Sequence, residues 1–124
     1  MKLRGLQHVS CPYSNGDLEA VRHFYGKVLG LQELPVPDTL ADSHLIWFAA
    51  VNQIELHFFP GLPDQGAKHH FCLDVDDLEE ARRNLLDAGH APFEATAIRN
   101  RPRFYCRDPV GNLIEFTSID GDYL

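Results

Sequence analysis

His70-Phe71-Cys72-Leu73-Asp74-Val75-Asp76-Asp77-Leu78-Glu79 alternates apolar and polar side chains before it changes period at Leu78. Successive side chains of a strand point to opposite faces, so Phe71, Leu73 and Val75 cover one layer. His70, Cys72 and Asp74 then face the other way. The stretch predicts a strand over 70–75, a helix over 78–88 and Gly89 as its end.

Earlier in the chain the same signature occurs once more. Asp17-Leu18-Glu19 precedes Asp77-Leu78-Glu79 by 60 residues, and Ile54-Glu55 precedes Ile114-Glu115 by 60. His8 precedes His70 by 62 residues and Gly30 precedes Gly89 by 59. Each half therefore reads histidine, Asp-Leu-Glu, glycine, Ile-Glu, with 47 residues from His8 to Glu55 and 45 from His70 to Glu115. Four matches in one order at nearly constant offset imply a duplicated module. In the first half a strand is expected over 6–11, closed by Pro12, with capping residues from Ser14 to Asp17. Leu18, Val21, Tyr25, Val28 and Leu29 follow at helical spacing up to Gly30. The stretch 45–59 holds two strands around Val51-Asn52-Gln53, and Pro60-Gly61-Leu62-Pro63-Asp64-Gln65-Gly66 is a linker at the midpoint. In the second half strands are expected near 93–97, 103–107 and 113–118, the last two joined by the turn Asp108-Pro109-Val110-Gly111-Asn112. The fold class is α+β: two β-α-β-β-β modules, over 1–62 and 67–124, making one domain of 1–124.

Size and charge exclude several functions. A chain of 124 residues suits one compact domain. With 11 basic and 18 acidic side chains the formal net charge is −7, which argues against nucleic acid as a partner. No apolar run approaches the ~20 residues of a membrane span, and Met1-Lys2-Leu3-Arg4-Gly5 lacks the apolar stretch of a secretory signal. Cys11, Cys72 and Cys106 are too few and too scattered for a disulfide framework or a zinc ribbon. Reduced thiols and a cytoplasmic location are expected.

Strand parity sorts the polar residues. Ile54, Leu56 and Phe58 form one face of their strand, leaving Glu55 and His57 on the other. Glu115 and Thr117 oppose Ile114 and Phe116; His8 and Ser10 oppose Val9 and Cys11; Arg103 and Tyr105 oppose Phe104 and Cys106. Corresponding strands of the two halves thus put a His or Glu on the face turned from the helices, beside aromatics such as Trp47, Phe59 and Tyr105. A buried carboxylate without a partner costs several kcal/mol, so inward carboxylates demand a cation. A divalent metal held by two histidines and one or two carboxylates would supply it, from among Zn, Ni, Mn, Co and Fe.

His8, Ile54-Glu55-Leu56-His57, the His70-to-Leu78 junction and the ending Asp108-Pro109-Val110-Gly111-Asn112-Leu113-Ile114-Glu115-Phe116 together resemble the vicinal-oxygen-chelate superfamily. That group takes in glyoxalase I, bleomycin-binding proteins and extradiol dioxygenases. The resemblance covers essentially the whole chain. It implies paired β-α-β-β-β modules whose sheets form a half-open β-barrel around a cavity and a metal. It implies His8, His70 and Glu115 as metal ligands, with Glu55 at the fourth position used by glyoxalase I. It also implies a homodimer.

The chemistry expected is that of a metal-dependent glyoxalase-like lyase or isomerase. Its substrate would be a small α-oxo or hydroxy-acid-like molecule chelated through vicinal oxygens. Glu55 or Glu115 would carry the proton as the catalytic residue. His57, Arg103 and Tyr105 are the candidate substrate contacts. Arg99 and Arg101 share the parity of Arg103 and could join it in an anion clamp. Two alternatives stay open: an Fe(II) oxygenase using His8, His70 and Glu115, and a metal-free protein of the same fold that binds a drug or other small molecule.

Overall fold

The computed structural model describes residues 1–124, apart from the side chain of Asn15. The chain divides into two compact units, Met1–Pro63 and Asp64–Leu124.

In the first unit, β1 (His8–Tyr13) leads through a short turn into helix α1 (Leu18–Arg22). The helix continues as wider π-type turns over His23–Val28. Strands β2 (Gln32–Leu34), β3 (Ile46–Ala49) and β4 (Glu55–Pro60) follow, and the sheet order is β1-β4-β3-β2. β1 pairs parallel to β4; the other pairs are antiparallel. The second unit repeats the plan with β5 (His70–Asp74), α2 (Leu78–Asp87), β6 (Phe93–Glu94), β7 (Arg103–Arg107) and β8 (Leu113–Thr117), in the order β5-β8-β7-β6. β5 lies parallel to β8. Neither sheet closes on itself, and each is the β-α-β-β-β module that the repeat predicts.

Burial follows the pleat. Ile46, Phe48, Leu56 and Phe58 are buried with Val21, Phe24 and Tyr25 of the helix. Tyr25 meets the rings of Phe48 and Phe58 at centroid distances of 5.8 and 4.5 Å. In the second unit Phe104, Cys106, Ile114 and Phe116 form the layer with Leu85 of α2. The Phe104 and Phe116 rings stack at 5.1 Å, and the Arg82 guanidinium covers Phe104 at 4.6 Å. Full burial of an aromatic or branched side chain contributes roughly 1.5–3 kcal/mol, so these layers set which faces the polar residues can occupy.

Several local expectations are corrected. Pro12 lies inside β1 and does not close it. β1 is the edge of its sheet, where a strand tolerates the missing N–H. The helix after Leu18 is not one regular α-helix: Leu29 N–H donates to Phe24 O at 2.9 Å, five residues back. The wider turns bury the adjacent Phe24 and Tyr25 together. β2 was not foreseen, because Gln32-Glu33-Leu34 has neither alternation nor branching to mark it. β6 spans only Phe93–Glu94, shorter than the 93–97 expected.

The midpoint stretch is anchored, not free. Gln65 Nε2 donates to Val110 O at 2.8 Å, and Arg107 Nη2 donates to Ala67 O at 3.3 Å. The first ties it to the turn 108–112 and the second ties the next residue to the end of β7; Asp108 organises the turn by accepting from the N–H groups of Val110 and Asn112 at 3.0 and 2.9 Å. Gly111 closes that turn at φ +99°, a conformation open to glycine and costly for other residues. No helix among the described residues is long and apolar enough to cross a membrane.

The two helices start differently despite the shared Asp-Leu-Glu. Asp77 Oδ1 accepts from Glu80 N–H at 3.0 Å, an N-cap. Asp17 and Ser14 make no such bond among the described residues. Asp77→Ala is therefore expected to lower stability by about 1 kcal/mol in urea unfolding. Asp17→Ala is expected to stay within roughly 0.5 kcal/mol of the parent.

Candidate functional site

The polar faces of the two sheets are built around β4 and β8. In the first unit His8 is in register with Glu55, Ser10 with His57, and Trp47 with His57. Glu55, His57 and Trp47 consequently stand on the face opposite the aromatic core. His57 Nε2 meets Glu55 Oε2 at 2.6 Å. The His57 ring is stacked between Trp47, at 4.0 Å and 3°, and His8, at 4.2 Å and 14°. His8 Nδ1 lies 2.6 Å from Gln7 Oε1. An amide oxygen only accepts, so Nδ1 donates to it. The bond from His57, with help from Gln7, holds the Glu55 carboxyl below the ordinary carboxylate range.

In the second unit Glu115 is the buried centre, its side chain only 4% exposed. It is in register with Cys72 on one side and Tyr105 on the other. Its Oε1 accepts from Arg101 Nη2 at 3.2 Å and Arg103 Nη1 at 3.3 Å. Its Oε2 lies 3.0 Å from His70 Nε2. His70 Nδ1 lies 2.8 Å from Lys68 O, a carbonyl, and so must donate to it. The anchored segment before β5 thus sets the orientation of His70.

A contact between Nε2 and a carboxylate oxygen then needs positive charge, because Nδ1 already holds the proton of a neutral ring. A second proton supplies it by making an imidazolium. A metal ion supplies it too: two donors each roughly 2.1 Å from one ion, at right angles or slightly wider, are roughly 3.0–3.4 Å apart. Donation of Nδ1–H to a carbonyl is also the usual support of a metal-binding histidine. The residues fit a divalent ion in donor type and in orientation. Among the described residues no three His, Cys, Asp or Glu side chains are gathered into a metal-holding group.

Burial of Glu115 demands a cation, and Arg101 and Arg103 already provide two within the same unit. The metal is no longer required to explain that carboxylate. Arg103 and Tyr105 are on the expected face, and Arg103 Nη1 donates to the Tyr105 hydroxyl at 3.0 Å. His57 bonds to Glu55 as its parity allows. Arg101 precedes β7, where strand alternation stops being a guide. Arg99 is exposed. Partial desolvation and the Glu115 charge push the Cys72 thiol up, against formation of a thiolate. Cys106 is buried in the core and pushed up to about 11.

The glyoxalase/bleomycin resistance protein/dioxygenase superfamily model matches residues 5–116. The chain belongs to that superfamily. Within it, a glyoxalase family protein from Bacillus anthracis is 30% identical, with a TM-score of 0.85, covering 96% of this chain and 98% of that one. A glyoxalase/dioxygenase from Nostoc punctiforme is 25% identical, with a TM-score of 0.80 over 97% and 93% of the two chains. The antibiotic-binding protein TnmS3 from Streptomyces sp. CB03234 shares the fold at 22% identity and a TM-score of 0.76, over 96% and 98%. No curated protein sequence matches the chain.

Two outcomes follow from these contacts. Glu115→Ala leaves two guanidiniums without their carboxylate and is expected to cost roughly 2–3 kcal/mol in urea unfolding, since the arginines keep some solvent. His57→Ala removes the main support of the Glu55 anion. The Glu55 carboxyl, followed by carbon NMR, should then titrate closer to its ordinary value. The sign is that of a depressed carboxylate: the contact adds stability above the unfolded-state value and loses it as pH falls through the lower folded one.

Proposed function

We propose that this chain is a metal-dependent isomerase or lyase of glyoxalase type, acting on a small substrate with two adjacent oxygens. The observation that carries the reading is the His70 geometry. Its Nδ1 is committed to Lys68 O while its Nε2 faces the Glu115 carboxylate at 3.0 Å. Use of divalent metals is common in the superfamily. His70 and Glu115 would hold the ion in the second unit, and His8 and Glu55 are the donors of the first.

The bound metal would supply Lewis-acid stabilisation of negative charge developing on the substrate oxygens. The chain supplies the rest. Glu115 is held on both oxygens, by Arg101 and Arg103 on one and His70 on the other, and serves as a fixed anchor. Glu55 has one imidazole partner and is the better placed to take a proton from carbon and return it. His57, wedged between Trp47 and His8, fixes the orientation of Glu55. Tyr105 contacts the substrate, and Arg103, engaged by Thr96, Tyr105 and Glu115, positions it. Dimer formation and a cytoplasmic location belong to the same proposal.

A second reading has one observation in its favour. Glu115 is neutralised by Arg101 and Arg103 without a metal, as a small-molecule binding protein of this fold would need.

Chelator-treated protein titrated with Zn²⁺, Ni²⁺, Co²⁺ and Mn²⁺ decides between them. At least one ion is expected to raise the melting temperature by several degrees, which an ion at 100-fold over its Kd does through about 2.7 kcal/mol. His70→Ala should abolish the shift. The loaded protein should isomerise an α-oxo aldehyde–thiol adduct, and Glu55→Gln should lower that rate by at least about a hundredfold. No stabilisation by any ion would overturn the metal-dependent reading in favour of the binding protein.

A further inference from the structure

The two arginines on Glu115 are not equivalent. Arg103 is committed through all three nitrogens: Nε and Nη2 donate to Thr96 O at 3.1 and 2.9 Å, and Nη1 donates to Tyr105 and Glu115. Arg101 uses Nη2 alone, toward Glu115 and, at 4.0 Å, toward Cys72 Sγ. Its Nε is buried and has no hydrogen-bond partner among the described residues. A charged donor shut away from water and left unbonded is an uncommon arrangement, found where a group is kept for a ligand or for strain.

The segment after β8 lies over the same residue. Tyr123 places its ring 5.1 Å from the Arg101 guanidinium carbon. Asn100, directly before Arg101, holds that segment at two points: its carbonyl accepts from Asp120 N–H at 2.8 Å, and its Nδ2 donates to Asp122 O at 2.8 Å. Asn100 itself sits at φ +57°, in the left-handed region. Beyond Ser118, whose N–H donates to Pro102 O at 3.2 Å, the segment is fastened by these bonds at Asn100. Arg101 and Arg103 share the one Glu115 carboxylate here.

A planar guanidinium edge with spare donors matches an oxyanion. We propose that Arg101 binds the carboxylate or phosphate group of a small ligand through its Nε edge, with residues 118–124 closing over it as a strap fastened at Asn100. This names the substrate class of the proposed reaction and rests on that reading of the polar face. The strap opens to admit the anion, and Tyr123 then packs on the paired guanidinium.

The test uses the whole chain freed of metal by chelator, with inorganic phosphate and acetate as separate probes. The Arg101 Nε–H resonance should move saturably with at least one probe, and which one distinguishes a phosphate from a carboxylate ligand. Arg101→Lys keeps a charge opposite Glu115 but lacks the edge, and should weaken binding by about tenfold or more. Arg83→Lys, at an exposed position of α2, should leave binding unchanged. Deleting residues 121–124 should speed exchange of the bound probe and weaken it several-fold. An Nε–H resonance unmoved by both probes, or full affinity in Arg101→Lys, overturns the proposal; unchanged exchange after the deletion overturns the strap. Anion binding without any metal effect would sink the isomerase reading alone, and a metal effect without anion binding would sink only this one.

Discussion

Strands β4 and β8 each run between a parallel and an antiparallel neighbour, and the alternation of their side chains governs everything else. One set of side chains is consumed by the helix layer. Leu56 and Phe58, or Ile114 and Phe116, cannot turn outward without losing the larger part of the hydrophobic stabilisation of their unit. Their neighbours Glu55 and His57, or Glu115 and Thr117, are therefore held on the opposite face. The chemistry of the protein is what the packing of the other face leaves over.

The two faces use that constraint differently. In the first unit the carboxylate has one close imidazole partner within a stack of flat rings, His8, His57 and Trp47. In the second it is surrounded: two guanidiniums on one oxygen, an imidazole on the other. A duplicated module has in this way acquired one carboxylate with a single imidazole partner and one held on both oxygens.

Most of this was legible in the chain because period-two patterns are strong where a face is fully buried. The parity of Glu55, His57, Glu115, Arg103 and Tyr105 follows from their apolar neighbours alone. Where no buried face imposes a period, the sequence was silent. β2 is three residues long, and the wide turns after Arg22 preserve the apolar spacing while changing its hydrogen bonds. Arg101 lies outside any strand, and its role depends on Glu115, Tyr123 and Asn100, none of which its local pattern reveals. An inward carboxylate at Glu115 demands a cation, but nothing in the pattern distinguishes two arginines from a metal ion.

The register of the central pairs differs between the units. Glu55 stands level with His8, whereas Glu115 stands level with Cys72, two positions along from His70. A slide of one residue would invert every side chain and expose a core; a slide of two preserves each one's facing. After a gene doubles, drift between the copies can therefore proceed only in whole pleats. The spacing between a base and its acid becomes a quantity that evolution adjusts in steps of about 6.6 Å without remaking the interior.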